Sequence, residues 1–281
     1  MDAPTPTPSD TDPLAPLRAV LARRPQSPAC ALRWVGTTGS TNADLLLAAK
    51  AGQLAGPTLL AAGRQTAGRG RRGRNWRDDA GSSVLCSVAW PFAPRQEVGP
   101  LSLAVGVWLA RALHALGATS VRLKWPNDLL LPAADVAGGW RKLGGVLIEV
   151  ADTAGARWAV VGFGLNLRSL PDQPDAAGLD AAGVDLDRGQ ALAAVVPALL
   201  DGLAGCAAGG FGAVLAQWDG LHAWAGQPVA VHDGEHVLFS GTALGLAADG
   251  ALRVRTPQGE REVRSADVSL RLAGTIAPPV R

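Results

Sequence analysis

The sequence predicts an α+β protein in which strands and helices alternate before a small all-β unit. Three observations carry this. Residues 83–90 place Val84, Cys86, Val88 and Trp90 on alternate positions, the period of a strand. Residues 101–116 set Leu101, Val105, Trp108, Leu109, Ala112, Leu113 and Leu116 at helical spacing, with Gly117 as a natural stop. Past Gly226 the texture becomes short alternating runs parted by turn pairs such as Asp233-Gly234 and Asp249-Gly250, which predicts a β unit of about 50 residues.

The elements follow in order. Residues 1–30 are Pro-rich and read as a tail with one short helix around Leu14, Leu17, Val20 and Leu21. Ser40, Thr41 and Asn42 precede a Leu- and Ala-rich run, which is N-cap chemistry for a helix over 43–54. Residues 57–62 form a short apolar strand, and an Arg- and Gly-rich loop follows over 63–79. After the strand at 83–90 and the helix at 101–116, strands are expected over 121–125, 128–131, 143–150 and 158–167, with a loop insertion at 132–140. Residues 187–208 and 211–218 read as helices, the first kinked or split by Pro197. The expected division is a tail over 1–30, a main domain over 31–224 and a β domain over 225–275.

Composition narrows the function. With 48% hydrophobic and 18% charged residues the chain can bury a core. A net charge of only +2 argues against a broad nucleic-acid face. The three cysteines, Cys30, Cys86 and Cys206, are distant and odd in number, so a reducing cytoplasm is the simple expectation. The first residues carry neither a basic nor an apolar signal region, so no secretory leader is expected. Residues 191–208 are apolar but hold Pro197 and Asp201, which reads as a buried helix rather than a membrane span. Lysine is scarce: 3 Lys stand beside 23 Arg, and there are only 4 Asn. Where charge alone matters Arg serves, so Lys124 and Lys142 stand out, as do Asn42, Asn75, Asn127 and Asn166.

Four segments carry chemistry. Gly68-Arg69-Gly70-Arg71-Arg72-Gly73-Arg74 places guanidinium forks and free backbone amides around a compact anion, and Trp76 offers a flat apolar face. A surface Arg–Gly loop that binds RNA, or nothing, is the alternative. Lys124-Trp125-Pro126-Asn127-Asp128 ends a strand in a turn bearing three polar groups. Lys142-Leu143-Gly144-Gly145 sets a lysine before a glycine pair that admits a ligand close to the backbone, or simply enters a strand. Gly162-Phe163-Gly164-Leu165-Asn166 lacks the third glycine of a dinucleotide fingerprint.

Together with Ser40-Thr41-Asn42 and the closing Asp267-Val268-Ser269-Leu270-Arg271, these segments resemble, in order over residues 33–272, biotin–protein ligases (biotin–[acetyl-CoA-carboxylase] ligases) of the short bacterial type. The resemblance implies a mixed β-sheet flanked by helices, the catalytic fold related to class II aminoacyl-tRNA synthetases, with a small SH3-like β-barrel at the C-terminus. It implies activation of biotin by ATP with Mg²⁺, then transfer to a lysine of the biotin carboxyl carrier protein or domain of acetyl-CoA carboxylase. Ser40, Thr41, Asn42, Gln65, Arg69, Gly70, Arg71 and Lys142 are then the expected biotin residues. Arg69, Arg71, Arg74, Trp76, Asn127 and Asn166 are those for ATP, and Lys142, Arg71 and Asp128 those nearest the chemistry.

The glycines make the Arg loop expensive to order, so it is expected to close only around its ligands, and Arg71→Gly should let the activated intermediate escape. Residues 1–32 leave no room for a helix-turn-helix, so operator binding is not expected; a homodimer is compatible with the resemblance. A lipoate ligase or lipoyl transferase, a nucleic-acid-binding module and a biotin-binding protein without turnover are the rival readings.

Overall fold

The first helix of the main domain starts where it does for a local reason: extended Ser40 (φ −161°) caps it by accepting a hydrogen bond from the Ala43 backbone amide at 3.4 Å. In this computed structural model, which describes residues 12–77, 81–136, 138–264 and 269–272, that helix is α2 (Thr41–Lys50). It connects β1 (Ala31–Thr38) to β2 (Thr58–Gln65), the one parallel pair in a seven-stranded sheet. The other members are β3 (Ser83–Phe92), β4 (Arg122–Lys124), β5 (Asp128–Pro132), β6 (Trp140–Asp152) and β7 (Arg157–Asn166). Their order is β1-β2-β3-β7-β6-β5-β4, antiparallel from β2 onward, which makes the sheet mixed.

Both faces of the sheet are covered. Along β3, Val84, Cys86, Val88 and Trp90 join the larger core with α3 (Leu101–Ala115) and α4 (Arg188–Gly209). Ala89, one residue along, packs with Leu45 and Ala49 of α2 on the opposite side. The helix expected in the N-terminal stretch, α1 (Ala15–Ala22), is part of the core, because Leu14 and Leu17 are fully buried where it packs on α4.

Of the kink or split expected at Pro197, the split does not occur. Residues Arg188–Gly209 form one helix with the proline buried inside, since packing against α1 and α3 compensates the missing backbone donor. That helix is long and apolar enough to cross a membrane by length and composition, and here half of its most apolar window lies buried in the protein. The helix expected over 211–218 shrinks to α5 (Gly212–Leu215). The stretch read as an insertion at 132–140 is the loop of the β5–β6 hairpin, tied by Arg141 to Asp135 at 2.8 Å.

The C-terminal unit is a five-stranded antiparallel sheet of β8 (Pro228–Asp233), β9 (His236–Leu246), β10 (Leu252–Thr256), β11 (Gly259–Val263) and β12 (Ser269–Leu272), in the order β11-β10-β9-β8-β12. It fastens to the turn after β4 through the Trp125 indole N–H, which donates to Gly250 O at 3.2 Å, while the Ala223 amide, in the segment leading to β8, donates to Leu123 O of β4 at 2.8 Å. That turn, which carries Lys124 to Asp128, is therefore held from both sides. Asp267 and Val268 of the closing motif lie outside the described residues.

Candidate active site

A cleft of about 1030 Å³, counting its open mouth, lies where α2, β3, β5, β6 and the Arg–Gly loop meet. Its two ends differ in chemistry. At one end the β1–α2 turn meets β2 and β3. The Thr41 amide donates to Gln65 Oε1 at 2.7 Å, and the Thr41 hydroxyl lies 2.7 Å from that of Ser87. Asn42 donates through Nδ2 to Glu149 at 2.6 Å, which turns its Oδ1 inward; that oxygen is buried with no hydrogen-bond partner. Gly162 makes room for it, since a Cβ there would stand 2.5 Å from Asn42 Oδ1. Ser40, Thr41, Asn42 and Ser87 are all buried. A buried acceptor left open beside neutral donors suits a ligand that brings its own N–H group.

The other end is crowded with cations. Arg69, Arg71, Arg72, Arg74, Lys124 and Lys142 line it, and Asp128 is the only acidic residue among the described lining residues. Strand pairing explains the central contact: a bulge between Leu129 and Leu130 sets Lys142 of β6 opposite Leu130, two residues along β5 from Asp128 and on the same face, so its ammonium reaches Asp128 at 2.7 Å. Lys124, at the far end of the β4–β5 turn, stands 4.0 Å from the other carboxylate oxygen. Burial alone would raise the Asp128 carboxyl, but Lys142 and Lys124 outweigh it and hold it below the usual carboxylate range. Burial lowers the Lys124 ammonium, with Asp128 opposing and Lys142 adding to the shift. Arg71 is lowered for the same first reason, and donates to Asn127 Oδ1 at 3.3 Å.

The Arg–Gly loop is a narrow hairpin closed by Gly70 N–H to Arg74 O at 2.7 Å and Trp76 N–H to Gly68 O at 2.9 Å. At its tip Arg72 adopts φ +59°, and its guanidinium pairs with Asp233 of the C-terminal sheet at 3.4 Å. The hairpin lays the Trp76 ring over Gly164, where any side chain would overlap the indole, and Lys142 Nζ stands 5.6 Å from the ring centroid.

The comparisons with known proteins agree with one another. Residues 36–166 match the Biotin/lipoate A/B protein ligase family, and residues 225–271 match the Biotin protein ligase C terminal domain. The Bifunctional ligase/repressor BirA of Escherichia coli is 34% identical over 245 residues, covering 83% of this chain and 72% of that protein. The chain belongs to the biotin protein ligase family. The Biotin--[acetyl-CoA-carboxylase] ligase of Paracoccus denitrificans is 31% identical over 245 residues, or 82% of this chain and 97% of that one. The solved biotin protein ligase from Aquifex aeolicus in complex with biotin and ATP superposes with a TM-score of 0.71 at 27% identity, over 86% of this chain and 99% of that one. The fold expected from the sequence is thus the fold of the family, and the chain is a biotin ligase enzyme.

Within this ligase, Ser40, Thr41, Asn42, Gln65, Arg69, Gly70, Arg71, Arg74, Trp76, Asn127, Asp128 and Lys142 all line the one cleft. Asn166 does not. Its Oδ1 accepts from the Ser83 hydroxyl, and its Nδ2 donates to the carbonyls of Lys142 and Ala177 at 3.4 and 3.3 Å. The sequence assigns no role to three residues that the structure brings to the cleft or its wall. Ser87 and Glu149 are partners of Thr41 and Asn42 from distant strands, and nothing local marks them. Lys124 was marked by the scarcity of lysine but not placed.

Proposed function

We propose that this ligase joins biotin to ATP as biotinyl-5'-AMP, releasing pyrophosphate, and then transfers the biotinyl group to a lysine of a biotin carboxyl carrier protein or domain, releasing AMP. The observation that carries the reading is the pairing of a neutral, hydrogen-bonding pocket with, among the described lining residues, six cations and a single carboxylate in one cleft. The neutral end suits the ureido ring of biotin: Thr41, Gln65 and Ser87 supply donors and acceptors, and Asn42 Oδ1 awaits an N–H. The cationic end suits a carboxylate and a triphosphate brought together, two anions that otherwise repel.

In the first step a biotin carboxylate oxygen bonds to the α-phosphorus as the bond to the β-phosphate oxygen breaks. Arg69, Arg71 and Lys142, which line the cleft, neutralise the charge, and Trp76, whose ring lies over Gly164, packs beside the purine. In the second step the neutral amine of the carrier lysine attacks the acyl carbon, the bond to AMP breaks, and Asp128 takes the amine's proton. Its depressed pKa keeps it a carboxylate.

Among the described residues no three His, Cys, Asp or Glu side chains come together, and the lone carboxylate of the cleft is already paired with lysine. The donor set does not fit a divalent ion held by the protein itself, so Mg²⁺ is proposed to enter with ATP as part of the substrate. The proposed setting is a reducing cytoplasm, in keeping with three free thiols. Operator binding is not part of the proposal, and a homodimer remains compatible with it.

The test is ATP–pyrophosphate exchange by the purified chain with biotin, then lipoate, as the only added acid. Exchange with biotin alone is expected. Exchange with lipoate alone would overturn the substrate, and exchange with neither would overturn ligation in favour of binding without turnover.

A further inference from the structure

Asp128 has two ammonium partners, and they are not equivalent. Lys142 makes the close contact at 2.7 Å, yet its side chain is 40% exposed and free to swing into the cleft. Lys124 stands 4.0 Å from the opposite oxygen, about 1 Å too far for a hydrogen bond. Its side chain is only 25% exposed, and its ammonium also sits 4.8 Å from the centroid of the Trp224 ring. Trp224 in turn follows Ala223, whose amide is bonded to the carbonyl of Leu123, the residue before Lys124. Lys124 is therefore fixed, while Lys142 is held chiefly through Asp128.

The reaction proposed above needs Lys142 in two places. At rest it neutralises Asp128; with biotin and ATP bound it is wanted on the developing anhydride. Pulling it away would strand the carboxylate of Asp128, whose side chain is 18% exposed, unless another cation is waiting. We propose that Lys124 is a positioning residue that takes over the charge of Asp128 when substrate anions draw Lys142 into the cleft. Arg71 and Arg74 also face Asp128 from the Arg–Gly loop, and Arg271 faces Lys124 from β12. The two loop arginines line the cleft where the triphosphate is proposed to lie, so they are drawn on by the same anions as Lys142. Lys124 alone combines closeness to Asp128 with an anchor outside the nucleotide end. This inference rests on the ligase reading.

A double-mutant cycle in biotin-dependent ATP–pyrophosphate exchange tests it. Lys124→Met leaves Asp128 with Lys142 as its only close partner, which traps Lys142; exchange should slow about tenfold. Lys124→Arg, which keeps the charge, should stay within about threefold of wild type. Adding Asp128→Asn to Lys124→Met should abolish the defect, so that the double variant matches Asp128→Asn alone. A packing role for Lys124 would instead carry the full defect into the double variant, and that result overturns the proposal. So do equal losses in Lys124→Met and Lys124→Arg, or equal rates in Lys124→Met and wild type. Absence of exchange in the wild-type chain overturns the ligase reading first, and is distinguishable from these.

Discussion

The two ends of the cleft are built on opposite principles. At the neutral end almost every polar group already has a protein partner: Thr41 with Gln65 and Ser87, Asn42 with Glu149. Among the described residues there, Asn42 Oδ1 is the buried atom left open. At the cationic end like charges are gathered well beyond what one carboxylate can balance, and the side chains that meet Asp128 are partly exposed. A pre-satisfied pocket recognises a shape and discriminates in binding. An over-charged pocket is tense without its anions and gains most as charge shifts during reaction. The difference teaches which kinetic constant each end should govern.

The largest effect expected is at the cationic end. Lys142→Met should lower single-turnover adenylate formation about thousandfold and weaken biotin binding far less, by about tenfold at most, read by calorimetry in the absence of ATP. A parallel loss in biotin affinity would merge the two ends and break the comparison. Next, Asp128→Asn should slow transfer from preformed biotinyl-adenylate to the carrier by roughly 100-fold and spare adenylate formation. An unchanged transfer rate would remove Asp128 as proton acceptor.

At the neutral end Asn42→Ala should raise the KM for biotin about tenfold or more with kcat nearly constant, because a hydrogen-bonding group used equally in ground and transition states is lost. A fall in kcat without a change in KM would contradict that assignment.

The smallest effect lies outside both ends. His222, between Trp218 and the carbonyl of Leu244, has its pKa lowered from 6.5 to about 4, chiefly by burial. Between those values the unfolded chain takes up a proton that the folded chain refuses, so this stability is present above pH 6.5 and lost as pH falls toward 4. From pH 7 to pH 5 the loss should be about 2 kcal/mol, measured by urea unfolding. In His222→Gln that part of the slope should vanish, with the ratio of kcat to KM at pH 7.5 little altered.

Much of this architecture is legible in the sequence because local chemistry dictates it. Ser40, Thr41 and Asn42 mark a helix start before a Leu- and Ala-rich run, and the helix begins at Thr41, two residues ahead of the expected 43–54, with Ser40 as its cap. The alternation in residues 83–90 and the Asp-Gly turns after Gly226 place strands where strands stand. The glycine–arginine alternation and the rare lysines mark most of the cleft before any contact is known. What stays hidden is set by strand order and by neighbours remote in sequence. Pro197 alone predicts a kinked or split helix, and packing against α1 and α3 keeps it in one piece.

Asn166 has the right residue type for the site, yet the end of β7 turns it toward Ser83 and the carbonyls of Lys142 and Ala177. Glu149 meets Asn42 across 107 residues, and Lys124 and Lys142 converge on one carboxylate. The sequence by itself determined where elements start, which faces are apolar and which side chains can bind anions, since those depend on residues within a few positions of one another. The tertiary structure alone decided which of these side chains meet. Pairing β3 with β7, β7 with β6, and β6 with β5 is a choice among sheet orders of similar local propensity, settled by burying both faces of the sheet at once.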